Sequence, residues 1–383
     1  MEKIGGENPQ KLSLHSAWKS LKATGKIYQI IVHCFALASL LIFGAWGFYQ
    51  LGFTNNKGGV DSNNRYLANY KDTTVQQDSV QRFAHAMQNY LDLAVLSKYY
   101  PENARLFLEA MQNSDRNDLI DRMMYAANMY LQVDSIGGDY TQALANVQAA
   151  YNQCAFKPAN VFLVPWMNEP SWGTLKEAIL KDKPLIDSAS RVTGVESRLI
   201  VACLVGEQIR LFNSNREKYK QYLGPMKVLS VQSQFSLGVN GIKDFTAMKV
   251  ESNLKNPQSE FYMGEAYEHI LDFSTEDVQN ERFARLTNYH NHYYSYVYTG
   301  CILHQTMLQW KRAGYDISQR PDILCTLFNL GFAASHPGPS PRCGGSRIQV
   351  NGHTYTFGVI GSDFYFSGEL GKDFPIHQSS FKM

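Results

Sequence analysis

The sequence lacks an excess of either charge. Its 36 basic and 34 acidic side chains among 383 residues leave a net charge of +2. That balance gives no electrostatic footprint for nucleic acid, so no nucleic-acid partner is expected. Cysteine is scarce: Cys34, Cys154, Cys203, Cys301, Cys325 and Cys343 are the only six, and no two stand at Cys-x-x-Cys spacing for zinc. Most read as small buried hydrophobes, with a Cys301–Cys325 bridge conceivable in an oxidising compartment. Phosphate-binding loops, dinucleotide fingerprints and nucleophile elbows are missing, which removes the usual support for nucleotide and esterase chemistry. No cofactor is expected. No metal is expected either, because His290 and His292 lie two apart and do not share a helix face.

One stretch lacks charge altogether. Ile30 to Tyr49, IIVHCFALASLLIFGAWGFY, holds no Asp, Glu, Lys or Arg. As a helix it is long enough for the roughly 30 Å of a bilayer's hydrocarbon core. Lys3, Lys11, Lys19, Lys22 and Lys26 precede it, whereas Lys57 and Arg65 follow sparsely, so the N-terminus is expected on the cytoplasmic side. Tyr28, Trp46 and Tyr49 sit where aromatic rings favour the headgroup layer. Ala36 and Ala38 fall inside the run instead of after it, which favours an uncleaved anchor over a signal peptide.

The chain with its 44% apolar residues exceeds what one ordinary core needs. Punctuation divides it into a cytoplasmic tail 1–27, a transmembrane helix 28–50 and a Gly/Asn-rich linker 51–73. A helical spacer or scaffold over 74–156 follows, with apolar residues three and four apart, then a connecting segment 157–172. That segment, KPANVFLVPWMNEPSW, carries three prolines and reads as a passage across a surface. A second helical domain spans 173–336, and residues 337–383 form a Pro/Gly loop and β-hairpin appendage. There Asn351-Gly352 separates RIQV from HTYTF, a strong hairpin signal, and DFYF reads as one more strand. The expected class is mainly α with a small C-terminal β-hairpin.

Within 173–336, SRLIVACLVGEQIRLF is apolar on nearly every face and predicts a helix buried on all sides, with Glu207 near its end. Burial disfavours the charged form of a carboxyl and suits it to donate a proton near neutral pH. The plainer alternative is an exposed Glu207 paired with Arg210 three residues on. Downstream come the Gly-punctuated QSQFSLGVNGIKDFTAMK and two further helical runs, GCILHQTMLQWKRAGYD and RPDILCTLFNLGF. The tyrosine-rich NYHNHYYSYVYTG before them could stack on sugars, but packing at a core edge is the commoner use of such a run.

This order resembles the lytic transglycosylase and goose-type lysozyme superfamily over about residues 189–332. The resemblance places Glu207 at the family's general acid/base, Ser236 and Gly238 at the start of its loop motif, and Thr246-Ala247 at its end. It also sets Gly300 before the next long helix, and Asn329 and Gly331 in the closing motif. Departures are Gln208 for the Ser after the catalytic Glu, replacement of the loop motif's Gln near Gly241, and Phe328 for a Tyr. Glu196-Ser197 repeats the family's catalytic dipeptide, yet it opens the helix, where Glu suits the positive end of the dipole.

The resemblance implies a lysozyme-like helical domain in a bacterial inner-membrane protein, with the bulk of the chain periplasmic. Its substrate would be peptidoglycan, cut between muramic acid and glucosamine units with Glu207 as sole acid/base. Ser236, Gly238, Phe328 and Asn329 would bind substrate, and Asp244 would be the second carboxylate if water were the acceptor. The alternative is a catalytically inactive lysozyme-like scaffold or glycan-binding component of a secretion or conjugation apparatus.

Overall fold

The computed structural model describes residues 79–131, 162–212, 236–237 and 239–377, together with single helical positions between 28 and 39. Of the expected span, Val32, His33, Ala36, Leu37 and Ser39 are described and helical; its other residues, like the linker 51–73, lie outside the described residues. Among the described residues no helix is long and apolar enough to cross a membrane. Residues 57–383 form one compact unit, which carries everything that follows.

That unit is mainly α-helical. Its N-terminal helices are α1 (Ser79–Tyr99), α2 (Pro101–Gln112) and α3 (Leu119–Leu131), followed by α4 (Pro170–Lys181), α5 (Lys183–Thr193) and α6 (Ser197–Phe212). Next come β1 (Ser236–Leu237), β2 (Ile242–Lys243), α7 (Asp244–Lys255), α8 (Val278–Thr287), α9 (Tyr293–Arg312) and α10 (Pro321–Leu330). The chain closes with β3 (Arg347–Val350), β4 (His353–Thr356) and α11 (Phe357–Phe366). Proline opens α2, α4 and α10, where its missing N–H would have been unpaired in any case. Gly194, at φ 72°, stops α5 in the left-handed cap that an L side chain resists.

α6 is the centre. Every side chain from Arg198 to Glu207 is buried, which is what an apolar sequence on all faces requires. Two glycines let other elements approach it and its neighbours closely. A Cβ at Gly206 would lie 2.8 Å from the Phe357 ring, and one at Gly300 would overlap Thr193. The second contact brings α9 against α5, where His304 Nδ1 lies 2.7 Å from the Thr193 carbonyl oxygen. Burial pushes His304 down to about 4, so it is a neutral ring that donates to that carbonyl. Gly300 therefore lies inside the long helix and not ahead of it, a correction to the place the resemblance gave it.

The C-terminal hairpin forms as expected. Arg347 to Val350 pairs antiparallel with His353 to Thr356, and Asn351 and Gly352 take φ 49° and 78° in the two-residue turn. A second, minimal antiparallel pair joins Ser236 to Lys243 and Leu237 to Ile242. The DFYF run is not a strand: it ends α11, which is buried throughout and packs on α6 and α10. A short run apolar on every face fits a buried helix as well as a buried strand, and Gly358 and Gly361 give the helix close access to Thr326 and Cys325.

Two further expectations change. From Phe162 onward the proline-rich connection is not a surface passage, for Leu163, Val164, Trp166, Met167 and Trp172 are buried. Proline restricts the backbone there but does not set its burial, and Asn103 accepts the Leu163 N–H at 2.8 Å to satisfy the backbone. The helices of the 74–156 region pack on the rest: Ser114 Oγ donates to the Ile376 carbonyl at 2.5 Å and Tyr130 Oη to Asp363 at 2.6 Å. Cys301 and Cys325 are not bridged. None of the four described cysteines forms a disulfide; all are buried, and the Cys325 sulfur lies 3.9 Å from that of Cys203.

Candidate functional site

Glu207 sits in the third turn of α6, only 3% exposed. The expected burial holds and the exposed alternative does not, yet its pairing does: Arg210 forks onto the buried carboxylate, Nε to Oε2 at 3.1 Å and Nη2 to Oε1 in a closer contact. Arg210 is the more open partner, its side chain 18% exposed against 4% for Glu207.

The β1–β2 hairpin folds over this carboxylate. Gly241 takes φ +62°, and a Cβ there would overlap the Glu207 carboxyl group, so only glycine lets backbone and carboxyl meet. The tip is fastened on both flanks. Gln208 Nε2 donates to the Val239 carbonyl at 2.5 Å, and Asn240 Nδ2 donates to Thr299 Oγ1 at 2.8 Å. Gln208 and the region of Gly241, two of the three places where the resemblance fails, thus serve the seating of the hairpin on α6. Asn240 is buried, and its Oδ1 has no donor among the described residues.

The remaining expected site residues divide. Ser236 pairs with Lys243 in the hairpin that reaches Glu207, while Gly238 lies outside the described residues. Phe328 is half-buried with its ring 6.1 Å from that of Phe357, the ring packed on Gly206 beside Glu207. Asn329 is engaged elsewhere: its Oδ1 accepts the Ser346 N–H at 2.7 Å and Ser346 Oγ at 2.9 Å, fixing the loop ahead of β3. Asp244 opens α7, 42% exposed, and faces Arg282 at 3.6 Å. Arg282 itself forks onto Glu251 at 2.7 and 2.6 Å. Asp244 belongs to that network.

At the N-terminal end of α6, Glu196 does more than suit the helix dipole. Glu196 is buried, accepting Tyr365 Oη at 2.7 Å and the His377 N–H at 3.0 Å. Desolvation pushes its carboxyl up to about 7 against the pull of those donors and of Arg198 and Arg116. Arg198 is fully buried and donates to the carbonyls of Tyr365, Phe374 and Phe364 at 2.9, 2.8 and 3.0 Å. Burial lowers it to about 10. The available signal was Arg198 at the second position of a largely apolar helix, a charge that must find acceptors wherever it is buried. Its acceptors are carbonyls at the end of α11 and in the segment after it, so α6 anchors the C-terminal part of the chain.

The tyrosine run proves mostly internal. Tyr296 donates to Asp182 at 2.6 Å beside His292, and Tyr298 donates to Glu251 at 2.5 Å; burial, with these carboxylates, raises both phenols. Among the described residues no three His, Cys, Asp or Glu side chains gather as a metal site. Comparison of the chain with protein-family models, curated proteins and solved structures gives no match.

Proposed function

We propose that this chain is a lytic transglycosylase-like enzyme that cuts the glycan strand of peptidoglycan, with a lysozyme-like helical domain over residues 173–336 and Glu207 as acid/base. One observation carries the reading: a carboxyl at the end of the buried run from Arg198 to Glu207, with the glycine of a short hairpin laid directly on it. Glu207 would take up a proton as Arg210 turns away, give it to the glycosidic oxygen between muramic acid and glucosamine, and then act as base. In the transglycosylase outcome that base accepts a proton from a hydroxyl of the same muramic sugar, which closes an anhydro ring, so one carboxyl suffices. Asp244, facing Arg282, offers little support for a water-activating second carboxylate. The proposed setting is the outer face of a bacterial inner membrane, with residues 30–49 as anchor.

A specific observation favours a second reading. The Arg210 clasp on Glu207 and the commitment of Asn329 to Ser346 occupy two groups that catalysis would need free. That is what a glycan-binding scaffold of an envelope apparatus would tolerate. Incubating the full chain with purified peptidoglycan and identifying the released fragments by mass spectrometry separates the two. Anhydro-muropeptides from the parent and none from Glu207→Gln support the enzyme. Equal cutting by that variant rejects Glu207, and binding to sacculi without fragments supports the scaffold.

A further inference from the structure

Beside α7 lies a cleft of about 350 Å³ that none of the residues discussed for glycan cleavage lines, apart from the Glu251–Arg282 pair at its base. Its walls are apolar, from Met248, Leu254, Leu271 and Phe273. Its charges are nearly all spent on each other. Arg282 is forked onto Glu251, and Lys255 pairs with Asp272, which also faces His269 at 2.7 Å. Glu268 is the exception: it accepts Tyr262 Oη at 2.5 Å and makes no ion pair among the described residues. The lining therefore holds three carboxylates and two cations, and the unbalanced charge is a carboxylate beside an apolar slot.

We infer that this cleft binds an ammonium group carried on an aliphatic stem, with Glu268 accepting the ammonium and the Met248, Leu254 and Leu271 walls taking the methylenes. A neutral or anionic ligand would bring Glu268 no cation. A bare cation would leave the apolar walls wet. The volume suits a chain of four or five carbons, within the usual range for small ligand pockets. Resting on the proposed glycan reading, the inference names the ligand more closely as the free amine of a diamino residue in the peptide stem. α7 starts directly after the hairpin that covers Glu207, so at the helix rise the cleft lies on the order of 10–15 Å along it. A stem of three extended residues spans about 10 Å.

The test is calorimetric titration of the full chain in detergent with Nα-acetyl-lysine methylamide, and with the norleucine analogue as an uncharged probe with the same four side-chain carbons. Binding of the lysine probe, at least about tenfold weaker binding of norleucine, and a similar loss in Glu268→Gln are expected. Glutamine keeps the acceptor for Tyr262, so that variant should melt with the parent. Equal binding of both probes, an unchanged Glu268→Gln, or no binding of the lysine probe to a protein with a cooperative melt would overturn the inference. Glu207→Gln should bind the amine as the parent does. Amine binding without any glycan cleavage would leave the cleft standing and sink the enzyme reading, and cleavage without amine binding would do the reverse.

Discussion

Two carboxylates bracket α6, both nearly closed to solvent, at 7% for Glu196 and 3% for Glu207. Their partners differ in kind. Glu196 is met directly by neutral donors, a phenol and a backbone N–H, with guanidinium groups only in its surroundings. Glu207 is met directly by a guanidinium from its own helix and by the backbone of a glycine. Comparable burial thus yields two devices. At the first end a carboxyl is deeply embedded and fastens the segment ending at His377. At the second the clasping arginine is partly open, and the cover is a short hairpin. A group that must meet a substrate belongs at the end whose partners can move. This comparison, more than burial alone, favours Glu207 over Glu196.

The comparison can be broken at either end. The largest effect is expected at the first. Arg198→Leu leaves three buried carbonyls without their donor and should cost on the order of 3–5 kcal/mol in urea unfolding. Next comes the pH dependence of Glu196. Its folded-state value of about 7 lies above the ordinary 4.5, so the native state holds a proton that the unfolded chain has released. Its stabilising contribution is complete below the lower value and is lost as pH rises through the higher one. Within that window the parent should lose up to about 1.4 kcal/mol per pH unit relative to Glu196→Gln. Parallel stability curves for the two proteins would show that Glu196 does not titrate there.

Smaller effects are expected at the second end. Gly241→Ala adds a methyl group where the Glu207 carboxyl lies and at a positive φ. It should cost about 1–3 kcal/mol and displace the hairpin, with fragment release from peptidoglycan falling further than the melting temperature suggests. Were the variant fully active, the hairpin's seat on Glu207 would have no part in the chemistry. The smallest change is Asp244→Asn, at a largely open position facing Arg282. It should alter stability by less than about 0.5 kcal/mol, and under the transglycosylase reading leave the product distribution unchanged. Loss of cleavage in that variant would instead restore Asp244 as a second carboxylate.

Much of the architecture was legible because its signals are local. The apolar surround of α6 and the Asn351-Gly352 turn act within a few residues of themselves. DFYF was misread because a run apolar on all sides carries no period, and the choice between helix and strand fell to what packs on it. The segment through Trp166 was misread for a related reason: proline states what the backbone cannot do, and burial is decided by neighbours. For the candidate site, Glu207 was visible as a charge in an apolar helix. Arg210 was visible as its neighbour one turn on. That the two coexist with burial was not, since it depends on a hairpin more than thirty residues downstream.

The sequence by itself determined that this is a mainly helical protein, where α6 lies, which end of it carries Glu207, and where the C-terminal hairpin turns. Those follow from periodicity, capping and turn chemistry, which act over a few residues. Only the tertiary structure decided that Asn329 is spent on Ser346, that Asp244 answers Arg282, that Gly241 rests on Glu207, and that Glu196 and Arg198 fasten the C-terminal segment. Each joins groups from different elements. A side chain's role at such a place is set by which acceptor, donor or charge the rest of the fold delivers to it, and no local pattern encodes that delivery.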